Sequence, residues 1–259
     1  MISCVRPSST LRVFACACFM APISVGAEPH VTTGYNSYGY PRLIDMPVAT
    51  SRPDGELAFT TSHFAGQLRN TMTFQLTPRL SGSFRYSILE QMRGSLDNLQ
   101  TIYDRSFSLH YRLADENPNG FRPSIAIGLN DFLGTGVYSS EYVVASKTLT
   151  PRVRFTAGIG WGRLGTSGGF TNPLSIFGDS FRTRPSRDFG AGGQVEASGL
   201  FRGDAALFGG LEWQATDRLK FALEYSSDAY PREERREDFN LASQVNIGAS
   251  GRVAKLVEI

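Results

Sequence analysis

The sequence has no cysteine beyond residue 18 and only 3 histidines, and charged side chains make up just 19% of its 259 positions. The 3 cysteines, Cys4, Cys16 and Cys18, all lie in the opening stretch. Export with loss of that stretch leaves no disulfide framework, no cysteine-ligated metal and no thiol nucleophile. Long apolar runs are also missing. The longest, near the N-terminus, falls short of the about 20 residues a helix needs to cross a bilayer. The first 27 residues contain no acid. Basic residues outnumber acidic ones by 26 to 24, and Arg6 and Arg12 in that segment account for the whole excess. The remainder is formally neutral, which gives no reason to expect a nucleic-acid partner.

That first segment has the parts of a secretory signal. Arg6 and Arg12 form a positive n-region, "VFACACFMAPISV" an apolar h-region, and "VGA" a small-residue cleavage site, placing the cut between Ala27 and Glu28. A lipoprotein alternative would acylate Cys16 or Cys18, but it leaves almost no h-region after Arg12.

What the chain does have is alternation. Residues 28–54 form a turn-rich lead-in containing "GYNSYGYPRLIDMP". Over 55–250, segments of near ten residues alternate strictly: Met72, Phe74 and Leu76 oppose Thr73 and Gln75, and Phe107, Leu109, Tyr111 and Leu113 oppose Ser108, His110 and Arg112. The pattern recurs in "LSGSFRYSI", "SIAIGLN", "RVRFTAGIGW", "ALFGGLEW", "RLKFALEY" and "NLASQVNIG". Period two predicts strands with one apolar and one polar face, and no segment predicts a helix of ten residues or more. The pattern stops after "SQVNIGAS", leaving 251–259, "GRVAKLVEI", as a tail without an aromatic final strand.

Two all-β architectures fit. A sandwich wets its polar face and buries its apolar one; a membrane barrel does the reverse. Segment length, a polar face rich in Gly, Ser and Thr, and aromatics at segment ends (Tyr103, Tyr138, Tyr142, Trp161, Trp213, Tyr225, Tyr230) favour the barrel. The expected fold is therefore an antiparallel outer-membrane-type β-barrel of about 10–12 strands, incomplete at its C-terminus.

The glycines of "GLNDFLGTGVYSSEYVVASK" could suggest a nucleotide loop, but no lysine follows Gly128, Gly134 or Gly136, and no helix pattern follows either. They predict a turn between strands, with Gly134 and Gly136 at positive φ and Asp131 accepting hydrogen bonds from the turn's N–H groups. The stretch also resembles the YjbH family of exopolysaccharide-biosynthesis outer-membrane proteins, as do "YGYPRLIDMPVATSRPDGEL", "DRSFSLHYRL", "GIGWGRLG", "FRGDAALFGGLEW" and "LEYSSDAYPRE", in the same order from about Gly39 to Tyr230. The resemblance implies an outer-membrane barrel that assists exopolysaccharide or capsule secretion. It implies no catalytic residue, although family members are typically longer.

Alternation points Arg85, His110, Arg112, Arg152, Arg154, Glu212, Lys220 and Glu224 into the lumen, as interstrand salt bridges or as a sugar path. Arginine at Ser108, Thr156 or Ala222 is accordingly expected to be much milder than on the apolar face. The run 231–238, "PREERRED", reads as a solvated loop. Ser108 and His110 share a face, but no supporting acid can be assigned and neither H-E-x-x-H nor G-x-S-x-G occurs. No catalytic residue, metal or cofactor is expected. Expected partners are outer-membrane lipid, polysaccharide-secretion proteins and extracellular polysaccharide. The rival functions are a secreted carbohydrate-binding sandwich and a barrel-embedded hydrolase.

Overall fold

The computed structural model describes residues 17–19, 31, 33–41, 43–93, 99–185, 194–195, 197–235, 239–254 and 257–258. Ala27 and Glu28 lie outside these. The fold is an all-β antiparallel sheet. Ten long strands carry it: β2 (Leu57–Phe64), β3 (Gln67–Gln75), β4 (Leu80–Arg93), β5 (Leu99–Ala114), β6 (Ser124–Gly134), β7 (Ser140–Thr150), β8 (Val153–Gly162), β10 (Ala205–Gln214), β11 (Leu219–Tyr225) and β12 (Val245–Ala254). Three short strands join them: β1 (Ala17–Phe19), β9 (Gln194–Val195) and β13 (Val257–Glu258). Helical structure among the described residues is limited to 3-10 turns such as Arg163–Gly165 and Glu233–Arg235.

Strands adjacent in sequence pair as a meander, for example Leu57↔Phe74, Phe84↔Phe107 and Phe221↔Trp213. β1 sits between β2 and β13, and β5 pairs with β6 as well as β4. The antiparallel order puts the connections 76–79, 115–123, 151–152 and 215–218 at one end. The opposite end holds 65–66, 135–139 and the two long connections, 163–204 and 226–244. The two-residue turn at Ala65 and Gly66 has φ of 47° and 67°, the paired positive values that a tight hairpin with right-handed strand twist requires. Asn172 ties down the first long connection. Its side chain accepts from the Trp161 indole at 3.0 Å and donates to the carbonyls of Phe181 and Phe201.

Burial divides the strands as the alternation predicts, but with apolar side chains outside. Leu57, Phe59, Met72, Phe107, Phe155, Leu207, Trp213, Leu223 and Ile247 are exposed, while Thr60, Ser62, Arg69, Thr71, Ser83, Arg85, Ser106, His110 and Glu212 are buried. The two hydrophobic clusters do not lie between strand faces. Both are built on the lead-in: Leu43, Met46, Val48 and Ala49 pack against Val144 and Phe208, and Tyr38 and Tyr40 pack against Leu89 and Tyr138.

Several expected boundaries shift. β6 runs on to Gly134, so Asp131 lies within a strand, at φ 47°, and the turn occupies 135–139. β12 begins at Val245 rather than at Asn240, and continues through Gly251 to Ala254 before β13, so the expected tail is largely paired strand. Gly134 and Gly136 have φ of 151° and 77°. A Cβ on Gly134 would lie 2.2 Å from the Arg105 carbonyl oxygen, a backbone atom with nowhere to go. Gly134→Val is expected to cost about 1–3 kcal/mol through this strain. An unchanged melting temperature would refute that.

Candidate functional site

The buried face is polar because the lead-in, and not water, lies against it. Its backbone reaches strands on all sides: the Ser37 carbonyl accepts from Ser62 on β2, and the Gly39 carbonyl from Thr73 on β3. Tyr40 Oη meets Ser108 Oγ on β5 at 2.6 Å, the Ala49 N–H donates to Ser146 Oγ on β7 at 2.9 Å, and the Val31 carbonyl accepts from Arg154 on β8 at 2.6 Å. The firmest clamp is Glu224 on β11. Its Oε2 accepts the successive backbone N–H groups of Ile44, Asp45 and Met46 at 2.9, 2.8 and 2.8 Å, while Oε1 accepts from Asn246 at 3.1 Å. A carboxylate facing three aligned amides is a strong, charge-assisted arrangement that fixes one short turn of chain.

Toward the long-connection end the lead-in meets an arginine–tyrosine cluster. The Arg69 guanidinium lies 4.2 Å from the Tyr38 ring centre, and those of Arg85 and Arg163 lie 4.3 and 4.9 Å from that of Tyr138. Cations over ring faces gain most where water is excluded, and here Arg69 and Arg85 are each 1% exposed. Carboxylates balance them. Arg163 binds Asp228 through Nε at 2.5 Å and Glu233 through Nη2 at 2.7 Å, and Tyr230 Oη donates to Asp45. Burial pushes the Asp228 carboxyl up to about 6, partly offset by Arg163. Burial also opposes ionisation of Glu233, yet the guanidinium groups of Arg163 and Arg69 hold its carboxyl below the ordinary range. Glu233 belongs to the charged run expected to be solvated, and it is fully buried.

The expected inward residues separate into three groups. Arg154, Glu212 and Lys220, on neighbouring strands, form one ion triad: Arg154 Nη1 lies 3.3 Å and Lys220 Nζ 2.8 Å from the two Glu212 oxygens. Arg85, His110 and Glu224 contact the lead-in or its neighbours instead of one another; Arg85 donates to Tyr40 Oη at 3.0 Å. Arg112 and Arg152 depart from the expectation. Arg112 is only partly buried, at the short-turn end beside Asp115 at 3.1 Å, and Arg152 is exposed in the 151–152 turn, donating to the carbonyls of Gln214 and Ala215. Parity continues past the last enclosed layer of the sheet, but enclosure does not.

Two spaces adjoin the cluster. One of about 10 Å³ lies among Tyr38, Asp45, Arg85, Tyr138 and Asp228, about the room of a single water molecule. The other, about 300 Å³, lies between the 135–139 turn and the two long connections, lined by Arg163, Arg184, Arg232, Ser139 and Thr166 among others. Among the described residues no group of three or more His, Asp or Glu is placed to hold a metal ion.

Residues 34–259 match the family model described as exopolysaccharide biosynthesis protein YbjH. The chain belongs to the YjbH family. It is similar to the uncharacterized lipoprotein YjbH of Escherichia coli (strain K12), 32% identical over 229 residues that cover 86% of this chain and 32% of that protein. The chain thus spans about a third of that relative's length.

The YjbH-family chain has no Ser–His pair at the position the sequence raised. His110 Nδ1 lies 2.8 Å from Tyr142 Oη and Nε2 3.1 Å from the Thr50 carbonyl, to which Nε2 donates. Ser108 Oγ is held by Tyr40 Oη and by the Asp131 N–H at 3.1 Å. Both groups fasten the lead-in and the 135–139 turn, whose Tyr138 N–H donates to Asp131 Oδ2 at 2.9 Å. Sequence reasoning missed Tyr38, Asp45, Asp228 and Glu233, and it read Tyr138 as a segment-end aromatic, whereas Tyr138 is buried against Tyr38 and Tyr40. Of the missed residues, only Tyr38 had a hint, in the aromatic density of "YNSYGYP".

Proposed function

We propose that the chain is an exported outer-membrane β-barrel, filled by its own lead-in, that assists exopolysaccharide secretion beside a separate exporter and does no covalent chemistry. The inverted burial carries this reading. Large apolar side chains stand exposed along the strands while arginines and carboxylates are enclosed, an arrangement stable against lipid and costly against water. A carbohydrate-binding sandwich would bury those apolar faces. β5, at one end of the strand order, also pairs with β6, which is next to the short β9 at the other end, and this supports closure. The short connections fit a periplasmic end, and 163–204 and 226–244 fit an extracellular one. The family description supports the exopolysaccharide role. A filled interior fits an accessory part better than a polymer conduit.

Cleavage after Ala27 removes β1, and the β2 edge then needs β12, β13 or a strand of another chain, since each unpaired backbone group in lipid costs several kcal/mol. The Escherichia coli relative is named a lipoprotein, which favours a second form acylated at Cys16 or Cys18. Intact mass separates a chain starting at Glu28 from an acylated cysteine. The barrel itself is tested by fractionation. The protein is expected only in detergent extracts of the outer membrane, to migrate faster unheated than heated, and to show no steady conductance in planar bilayers. Loss of the protein should lower surface polysaccharide. Recovery as a soluble periplasmic species would end the barrel reading.

A further inference from the structure

At the long-connection end one outward row of the sheet is buried. Glu141, Trp161 and Ala205 stand side by side on β7, β8 and β10, with the parity of the exposed Leu207. That parity predicts exposure for all three, yet each is enclosed. The first long connection covers them. Phe170 pairs with Ala205, the Asn172 side chain and the Phe201 ring meet the Trp161 indole, and Arg184 holds the Glu141 carboxylate through both terminal nitrogens. The connection folds down over the outside of the sheet instead of standing clear of its end.

We propose that this lobe is a membrane anchor, which sets Ile176 and Phe177 at the boundary between headgroups and acyl chains of the surrounding bilayer. The inference rests on the membrane reading above and adds a lipid contact made by a connection instead of a strand. Ile176 and Phe177 are 82% and 75% exposed, adjacent on the 3-10 turn Pro173–Phe177. The turn is fixed. Asn172 Oδ1 also accepts the Leu174 N–H at 3.0 Å, and the Asn172 amide holds the Phe181 and Phe201 carbonyls. A fixed turn cannot tuck the pair away, and contiguous exposed apolar side chains mark a contact surface.

Depth identifies what that surface meets. Paired residues share a face of the sheet, so Phe170 points outward with Ala205, and it too is exposed. A Cβ on Gly168 would lie 3.3 Å from Tyr225 Oη, which sets the start of the lobe level with an outward tyrosine at a strand end. Aromatic side chains at that position belong to the bilayer interface. The next outward row toward the sheet centre, Val143, Ile159 and Leu207, is part of the apolar band itself. Lobe and band adjoin, and what covers the band reaches the lobe. Beyond the turn, Asp179 and Arg182 form an exposed ion pair at 2.8 Å, which suits the headgroup layer. Interfacial segments bury their apolar side about 5–10 Å into this boundary.

The test places one spin label at a time on the mature chain starting at Glu28, which has no cysteine of its own. The chain is folded into vesicles of phosphatidylethanolamine and phosphatidylglycerol. Collisions with oxygen, which enters acyl chains, are compared with those of a water-soluble nickel chelate. Ile176→Cys, Phe177→Cys and Leu207→Cys are each expected to give an oxygen-to-nickel ratio about 10-fold above that of Asp179→Cys. Water-like ratios at Ile176→Cys and Phe177→Cys beside a lipid-like Leu207→Cys overturn the anchor and leave the barrel reading standing. A water-like Leu207→Cys overturns the barrel reading, and the anchor with it. Labels on the turn that are water-like in these vesicles but shielded from both probes in native outer-membrane vesicles would assign the lobe to a partner protein, and so overturn lipid as its occupant.

Discussion

Glu224→Ala is expected to destabilise the folded chain by about 3–5 kcal/mol, the range for breaking a buried, charge-assisted contact on one side. The three N–H groups of Ile44, Asp45 and Met46 converge on one carboxylate oxygen, and the Ala variant removes that shared acceptor from all three at once. Glu224→Gln keeps an oxygen at the same position and should lose only about 1–2 kcal/mol, the difference between a charged and a neutral acceptor. Chemical unfolding in detergent reads both. Limited proteolysis should show a second signature, with cleavage within 43–49 in the Ala variant and protection in the parent. An Ala variant that unfolds at the parent's midpoint would mean that the lead-in is not held by this clamp.

The strands were legible in the sequence because their signal is local. A period of two places Phe107 and Ser108 on opposite faces whatever the rest of the chain does. The position of the lead-in was not legible, because "GYNSYGYPRLIDMP" has no periodicity of its own and is ordered only by what encloses it. The same limit explains Glu233. Within "PREERRED" nothing distinguishes it from Glu234, which is exposed, until Arg163 and Arg69 are brought beside it by folding. Arg152 fails in the other direction: its parity matches Arg154, but it belongs to the 151–152 turn, beyond the enclosed layer. The turn chemistry around Asp131 was readable because an acid before a glycine-rich turn has a short list of local donors.

The lead-in also changes what a substitution on the polar face would do. Ser108 bridges Tyr40 and the Asp131 amide, Thr156 Oγ1 meets Ser146 Oγ at 2.8 Å, and Ala222 is buried on the same face. The sequence alone suggested that arginine would be mild at these positions. The space a water-filled interior would have offered is taken by chain, so arginine there is expected to overpack, a cost of about 1–3 kcal/mol that does not depend on lipid.

The outer face therefore gives the cleaner test of the membrane reading. Phe155 and Phe221 are 45% and 37% exposed, and Phe84, Leu109 and Ile127 occupy the same parity on their strands. In a bilayer, Phe155→Arg or Phe221→Arg should cost about 2–4 kcal/mol near the midplane. The origin is the transfer of a guanidinium from water into hydrocarbon, so the cost should grow toward the strand centres, and Phe221, which pairs with Trp213 near the strand ends, should lie at the lower end of that range. A soluble protein predicts the opposite sign of effect: arginine on an exposed apolar face would leave stability within about 0.5 kcal/mol and improve solubility. Reversible unfolding from phospholipid vesicles measures the difference directly. If Phe155→Arg and Phe221→Arg both leave the folding free energy unchanged there, the exposed band does not face lipid, and some other protein surface must cover it.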